Sequence, residues 1–104
     1  MTRIAFTMKL NPGCRDEYIR RHDALWPELK ALLKRKGIGN YSIFLDEERN
    51  ILFGIQELQE GAETGNIGDE PVMKKWWAHM ADIMETNPDN SPASVSLTEV
   101  FHMD

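Results

Sequence analysis

The stretch NYSIFLDEERNILFGIQEL, residues 40 to 58, decides the fold, because it holds two strand-like runs and the turn between them. Asn40 to Asp46 and Ile51 to Leu58 carry aromatic and β-branched residues, and the polar DEERN that joins them predicts an antiparallel hairpin. Ile51, Phe53 and Ile55 face one way, and Tyr41, Ile43 and Leu45 do the same on the neighbouring strand.

Upstream, Gly37 and Gly39 end a helix expected from about residue 13 to 36, with a bend at Trp26 and Pro27, because proline disfavours helical geometry in the residue before it. Before that helix, residues 3 to 10 alternate, with Ile4, Phe6, Met8 and Leu10 on one side, until Asn11, Pro12 and Gly13 stop the strand. Downstream, QEGAETGNIGDEP (59 to 71) reads as a loop and the most mobile internal segment. Asp69, Glu70 and Pro71 then start a second helix, Val72 to Met84. NPDNSP (87 to 92) is an irregular loop, and SVSLTEVF (94 to 101) alternates as a fourth strand. The order β-α-β-β-α-β predicts an α+β fold: a ferredoxin-like antiparallel sheet with two helices on one face. The other face is apolar and bare, and a second copy is its simplest cover, so a homodimer with facing sheets is expected.

At 104 residues the chain is one domain, spanning 1 to 104, and 41% hydrophobic with 28% charged residues is a globular composition. No apolar run approaches the ~18 residues of a membrane span, and MTRIAFTMKL lacks the pattern of a secretory signal, so a cytoplasmic protein is expected. The single cysteine, Cys14, offers neither an intramolecular disulfide nor a thiolate cluster, and reads as a passive position near a helix start. Twelve basic against 17 acidic residues give a net charge of −5, and the basic stretches Arg15 to Arg21 and Lys30 to Lys36 suit the solvated back of a helix; nucleic acid is not an expected partner.

Tyr18, His22, Leu25, Trp26, Leu29, Leu32 and Leu33 follow the three-and-four spacing of one helical face, which should pack on the sheet. Tyr18 and His22 are compatible with two readings: satisfied rim residues, or an imidazole placed beside a phenol for acid and base work. Trp76 and Trp77, in KKWWAHM, are about 100° apart around their helix, so one can fill the core while the other lines a cavity; a pair of plain core residues is the competing reading. His79 and His102 are scattered, without metal-ligand spacing, and no phosphate-binding or nucleophile motif occurs. Asn87, Asp89 and Asn90 could hydrogen-bond near a pocket, though a rigid structural loop explains NPDNSP equally.

Together, YIRRHDALWPEL (18 to 29), NYSIFLDEERNILF (40 to 53), KKWW (74 to 77), NPDNSP and LTEVF (97 to 101) resemble the L-rhamnose mutarotase family, in order and over nearly the whole chain. The resemblance implies a cofactor-free, metal-free enzyme that interconverts the α and β anomers of L-rhamnose, built as a dimeric α+β barrel. It places the family's active histidine on His22 and its sugar-binding positions on Tyr18, Tyr41, Trp76 and Trp77. Anomer exchange needs a proton given to the ring oxygen and another taken from the anomeric hydroxyl, and an imidazole that titrates near neutrality suits the acid. The loop GAETGNIG (61 to 68) is more glycine-rich and less aromatic than the family pattern, which bears on a pocket wall. Two other functions fit a small barrel with an aromatic cavity: a non-catalytic sugar-binding module and a cofactor-free monooxygenase.

Overall fold

The computed structural model describes residues 1–104. Strand β1 (Thr2–Lys9) leads into helices α1 (Arg15–Asp23) and α2 (Pro27–Arg35), the hairpin β2 (Ile38–Asp46) and β3 (Ile51–Leu58), a 3-10 turn (Ile67–Asp69), helix α3 (Pro71–Met80) and strand β4 (Val95–Leu97). The result is an α+β fold with one four-stranded antiparallel sheet, ordered β2-β3-β1-β4.

The expected pair of helices becomes three. Trp26 is extended, at ψ 130°, because the ring of Pro27 excludes it from the helical region. Pro27 then takes the first position of α2, where its missing N–H leaves no bond unmade. The bend expected at Trp26 and Pro27 is a full break at Ala24 to Trp26. Gly37 ends α2 at φ 88°, but Gly39 lies inside β2 and ends nothing. Helix α3 starts at Pro71 behind Glu70 rather than at Asp69, and it stops at Met80, after which Met84 bridges to Leu10.

Register corrects the assignment of faces. Residues directly opposite in an antiparallel pair share a face. Met8, Leu52 and Leu45 therefore form one row, as do Phe6, Gly54 and Ile43, and both rows lie under the helices. Phe44, Phe53, Thr7 and Val95 form a row on the opposite side, next to Ser42, Ile55, Ala5 and Leu97. Ile43 and Leu45 thus point away from Phe53 and Ile55. One extra residue between Gly39 and Ser42 bulges β2, with Asn40 at φ 41°, and this step lets both Ile38 and Tyr41 turn toward the helices.

Leu29, Leu32 and Leu52 are almost fully enclosed at 2%, 1% and 2% exposure, and each stabilises the fold by about 1.5–3 kcal/mol through burial. They join Met8, Leu10, Tyr18, Trp76, Met80, Ile83 and Met84 in one core between sheet and helices. The outer face is apolar and open, with Phe44, Val95 and Leu97 at 62%, 64% and 43% exposure. Strand β4 is shorter than the alternation of 94 to 101 suggests, because it pairs only with Ala5 to Thr7 of β1, and beyond Leu97 the chain is tied back by the Arg3–Glu99 ion pair, 2.8 Å. The loop after β3 is anchored rather than free: Gln59 donates to the Gly37 carbonyl and Glu63 to that of Lys36. No helix is long and apolar enough to cross a membrane.

Candidate active site

Helix α1 places Tyr18 and His22 one turn apart, and their rings stack with centroids 4.2 Å apart and planes at 25°. His22 meets Trp76 of α3 edge-on at 5.4 Å, and Trp76 in turn meets Trp26 edge-on at 5.1 Å. From the sheet, the bulge in β2 turns Tyr41 inward, where it stands edge-on to Phe6 at 6.2 Å. These elements enclose a cavity of about 770 Å³, a size suited to a small ligand, and Tyr18, His22, Tyr41, Trp76 and Trp77 all line it. The five residues named from sequence are thus gathered at one place. The tryptophans divide unequally, Trp76 being buried in the core while Trp77 packs half-buried against it, and both contribute to the wall.

The imidazole has a defined state. His22 Nδ1 lies 3.0 Å from the Tyr18 carbonyl oxygen, which only accepts, so Nδ1 carries the hydrogen and Nε2 is the free nitrogen. Burial lowers the His22 pKa below its ordinary 6.5, with the Tyr18 carbonyl and the Asp23 carboxylate pulling the other way. The ring is therefore neutral at neutral pH, and Nε2 makes no hydrogen bond within the protein. Burial also raises the Tyr18 hydroxyl well above its usual value, helped by Tyr41, and pushes Tyr41 up to about 12 against the opposing hydrogen bond from Gln56. Both phenols therefore stay protonated at neutral pH, each with an O–H that can donate.

The supports of this site were not legible in the sequence. Arg21 belongs to a stretch read as solvated, yet its side chain is only 11% exposed. It donates to Glu17 at 2.6 Å, to the His79 carbonyl at 2.7 Å and to Asp82 at 2.8 Å, tying α1 to the end of α3, where a cation is favoured. Glu17, bonded by Arg20 and Arg21, is held down at about 2. Gln56, the one buried polar residue, lies on the inner face of β3 beside the bulge. Met73 and Met80 also line the cavity, and their spacing with Trp76 and Trp77 is a helical-face signal that sequence reading could have used.

His79 is exposed and rests its ring against Trp26, while His102 is bonded to Asp104 at the chain end. No group of three or more His, Cys, Asp or Glu side chains is placed to hold a metal ion. Cys14 sits half-buried at the N-terminal cap of α1. NPDNSP is braced internally, Asn87 donating to Ser91 at 3.0 Å and Asp89 accepting from the Ser91 amide at 3.0 Å, while Asn90 and Pro92 reach the cavity edge.

Fold and site together define a small α+β protein with one aromatic-walled cavity and a neutral, oriented histidine in its wall. The family model described as L-rhamnose mutarotase matches residues 3–103. L-rhamnose mutarotases of Flavobacterium johnsoniae and Brucella anthropi are 60% and 58% identical, covering 98% and 97% of this chain and 95% of each relative. The crystal structure of L-rhamnose mutarotase from Formosa agariphila superposes with a TM-score of 0.92 at 53% identity, covering 100% of both chains. The chain belongs to the L-rhamnose mutarotase family.

Proposed function

We propose that this protein is an isomerase that interconverts the α and β anomers of L-rhamnose, and that His22 moves the proton. The observation that carries this reading is the placement of His22: it lines a cavity walled by aromatic rings, and its Nδ1 is engaged by the Tyr18 carbonyl, which leaves Nε2 as the nitrogen free to take a proton. The two relatives and the solved structure named above bear the mutarotase name, which favours this reading over a binding module or an oxygenase.

A neutral imidazole accepts before it gives. Nε2 takes the proton of the anomeric hydroxyl and, as imidazolium, delivers a proton to the ring oxygen as the bond from that oxygen to the anomeric carbon breaks. The open aldehyde rotates about its first carbon–carbon bond and recloses by the reverse transfers, so that no net proton is consumed. Positioned transfer of this kind contributes about 10²–10⁴-fold. Tyr18 and Tyr41, kept protonated by burial, donate hydrogen bonds to sugar oxygens, and the faces of Trp76 and Trp77 suit the apolar face and methyl group of a 6-deoxy sugar. The chain's own residues supply both proton steps, and the reading calls for neither cofactor nor metal.

The further architecture follows the same reading. The strand order β2-β3-β1-β4 supports a single ferredoxin-like domain over 1–104. The open outer rows support a homodimer in which two sheets face each other as a dimeric α+β barrel. The lone cysteine and the composition support a cytoplasmic location, with L-rhamnose as the small-molecule partner and no role for nucleic acid or membrane.

The test is NMR saturation transfer between the two anomeric proton signals of equilibrated L-rhamnose. The protein should accelerate exchange, and His22→Asn should remove about 10²–10⁴-fold of it with sugar binding largely kept. Absence of acceleration by the folded, unaltered protein rejects the reading.

A further inference from the structure

We propose that Gly68 is a positioning residue for Trp77: it lets the 3-10 turn lie against the indole and so sets where that ring stands in the cavity wall. An ideal Cβ on Gly68 would stand 2.8 Å from Trp77 Cη2 and 3.0 Å from Cζ3, closer than side-chain carbons come. The backbone gives no reason for a glycine here, since the left-handed glycines are Gly13, Gly37 and Gly61. The indole alone requires it. Trp77 lines the cavity and Gly68 does not, so the ring stands between the turn and the space it bounds.

The two partners differ in their freedom to yield. The turn is closed by backbone bonds from Asp69 to the Asn66 carbonyl, 3.0 Å, and from Glu70 to that of Ile67, 3.1 Å. It runs directly into Glu70 and Pro71 at the start of α3, and Arg35 holds Glu70 at 2.9 Å. A methyl group at position 68 therefore displaces the half-buried ring rather than the turn, and the cavity changes shape where Trp77 lines it. The glycine-rich character of 61 to 68 acquires a specific meaning at this one position. Gly65, by contrast, has nothing within 4 Å of an added Cβ and serves as the control.

This inference rests on the sugar reading for its kinetic consequence but not for the contact itself, and the experiment separates the two. Gly68→Ala, Gly65→Ala, Trp77→Phe and the double variant Gly68→Ala/Trp77→Phe are compared by the indole N–H resonance of Trp77 and by KM and kcat for L-rhamnose exchange. Gly68→Ala should shift the indole resonance and raise KM about fivefold or more, with kcat within about twofold, while Gly65→Ala moves neither. In Trp77→Phe, which lacks the outer ring of the indole, adding Gly68→Ala should leave KM where Trp77→Phe alone put it. An unmoved resonance in Gly68→Ala, or an equal KM penalty in both backgrounds, overturns the proposal. If the unaltered protein exchanges no anomers, the sugar reading falls and the resonance alone decides: a shift upholds the placement of Trp77 by Gly68, and an unmoved signal overturns it.

Discussion

The two faces of the sheet are built from similar residues and meet different fates. On the inner face, Met8, Leu45, Leu52 and Ile43 are covered by helices that bring in Tyr18, His22 and the tryptophans. On the outer face, Phe44, Phe53, Ile55, Val95 and Leu97 form rows across the strands, Phe53 and Ile55 half-buried and the other three exposed. Met8 and Leu52 on the inner face are enclosed by their own chain, with Ile43 and Leu45 half-buried beside them, whereas Phe44, Val95 and Leu97 on the outer face stay exposed. An apolar strand pattern therefore marks a face that favours burial without saying what covers it.

Adjacent residues on neighbouring strands provide the sharpest contrast. Leu52→Ala on the inner face should cost about 2–5 kcal/mol of unfolding free energy in urea titration. A loss below about 1 kcal/mol would show an inner face packed no better than the outer. Phe44→Asp on the outer face should leave the circular dichroism of the folded chain intact and halve the mass seen by sedimentation equilibrium, because it places charge in the proposed sheet-to-sheet contact. An unchanged mass would end the facing-sheet dimer. The smallest effect belongs to His22, the half-buried imidazole that α1 brings over the inner face. Because the His22 pKa is lowered on folding, the unfolded chain binds a proton that the folded ring resists; the contribution to stability is complete above pH 6.5 and declines as pH falls below it. The acid limb of kcat/KM should lie below pH 6.5 for the same reason, and His22→Asn should abolish both dependences. A limb above 6.5 would mean that the inner face stabilises the imidazolium instead.

Much of this architecture is local and was readable along the chain. The hairpin follows from two β-rich runs around DEERN, and the interruption at Trp26 follows from the proline behind it. Tyr18 and His22 share a face because their spacing is one helical turn. The bulge at Asn40 was not readable, because strict alternation carries no mark of an inserted residue, and it is this step that brings Ile38 and Tyr41 to the same side. Arg21 looked solvated because its partner Asp82 lies 61 positions away.

The sequence by itself determined where β1 and the hairpin lie, the shared helical face of Tyr18 and His22, and the candidate residues, since each rests on spacing within a turn or an alternation. Only the tertiary structure decided the burial that keeps His22 neutral, the division between Trp76 and Trp77, the clamp through Arg21 and the close seat of Gly68 on the indole. These depend on contacts between segments distant in the chain, where burial and approach within a few ångströms set the energies and local periodicity carries no information.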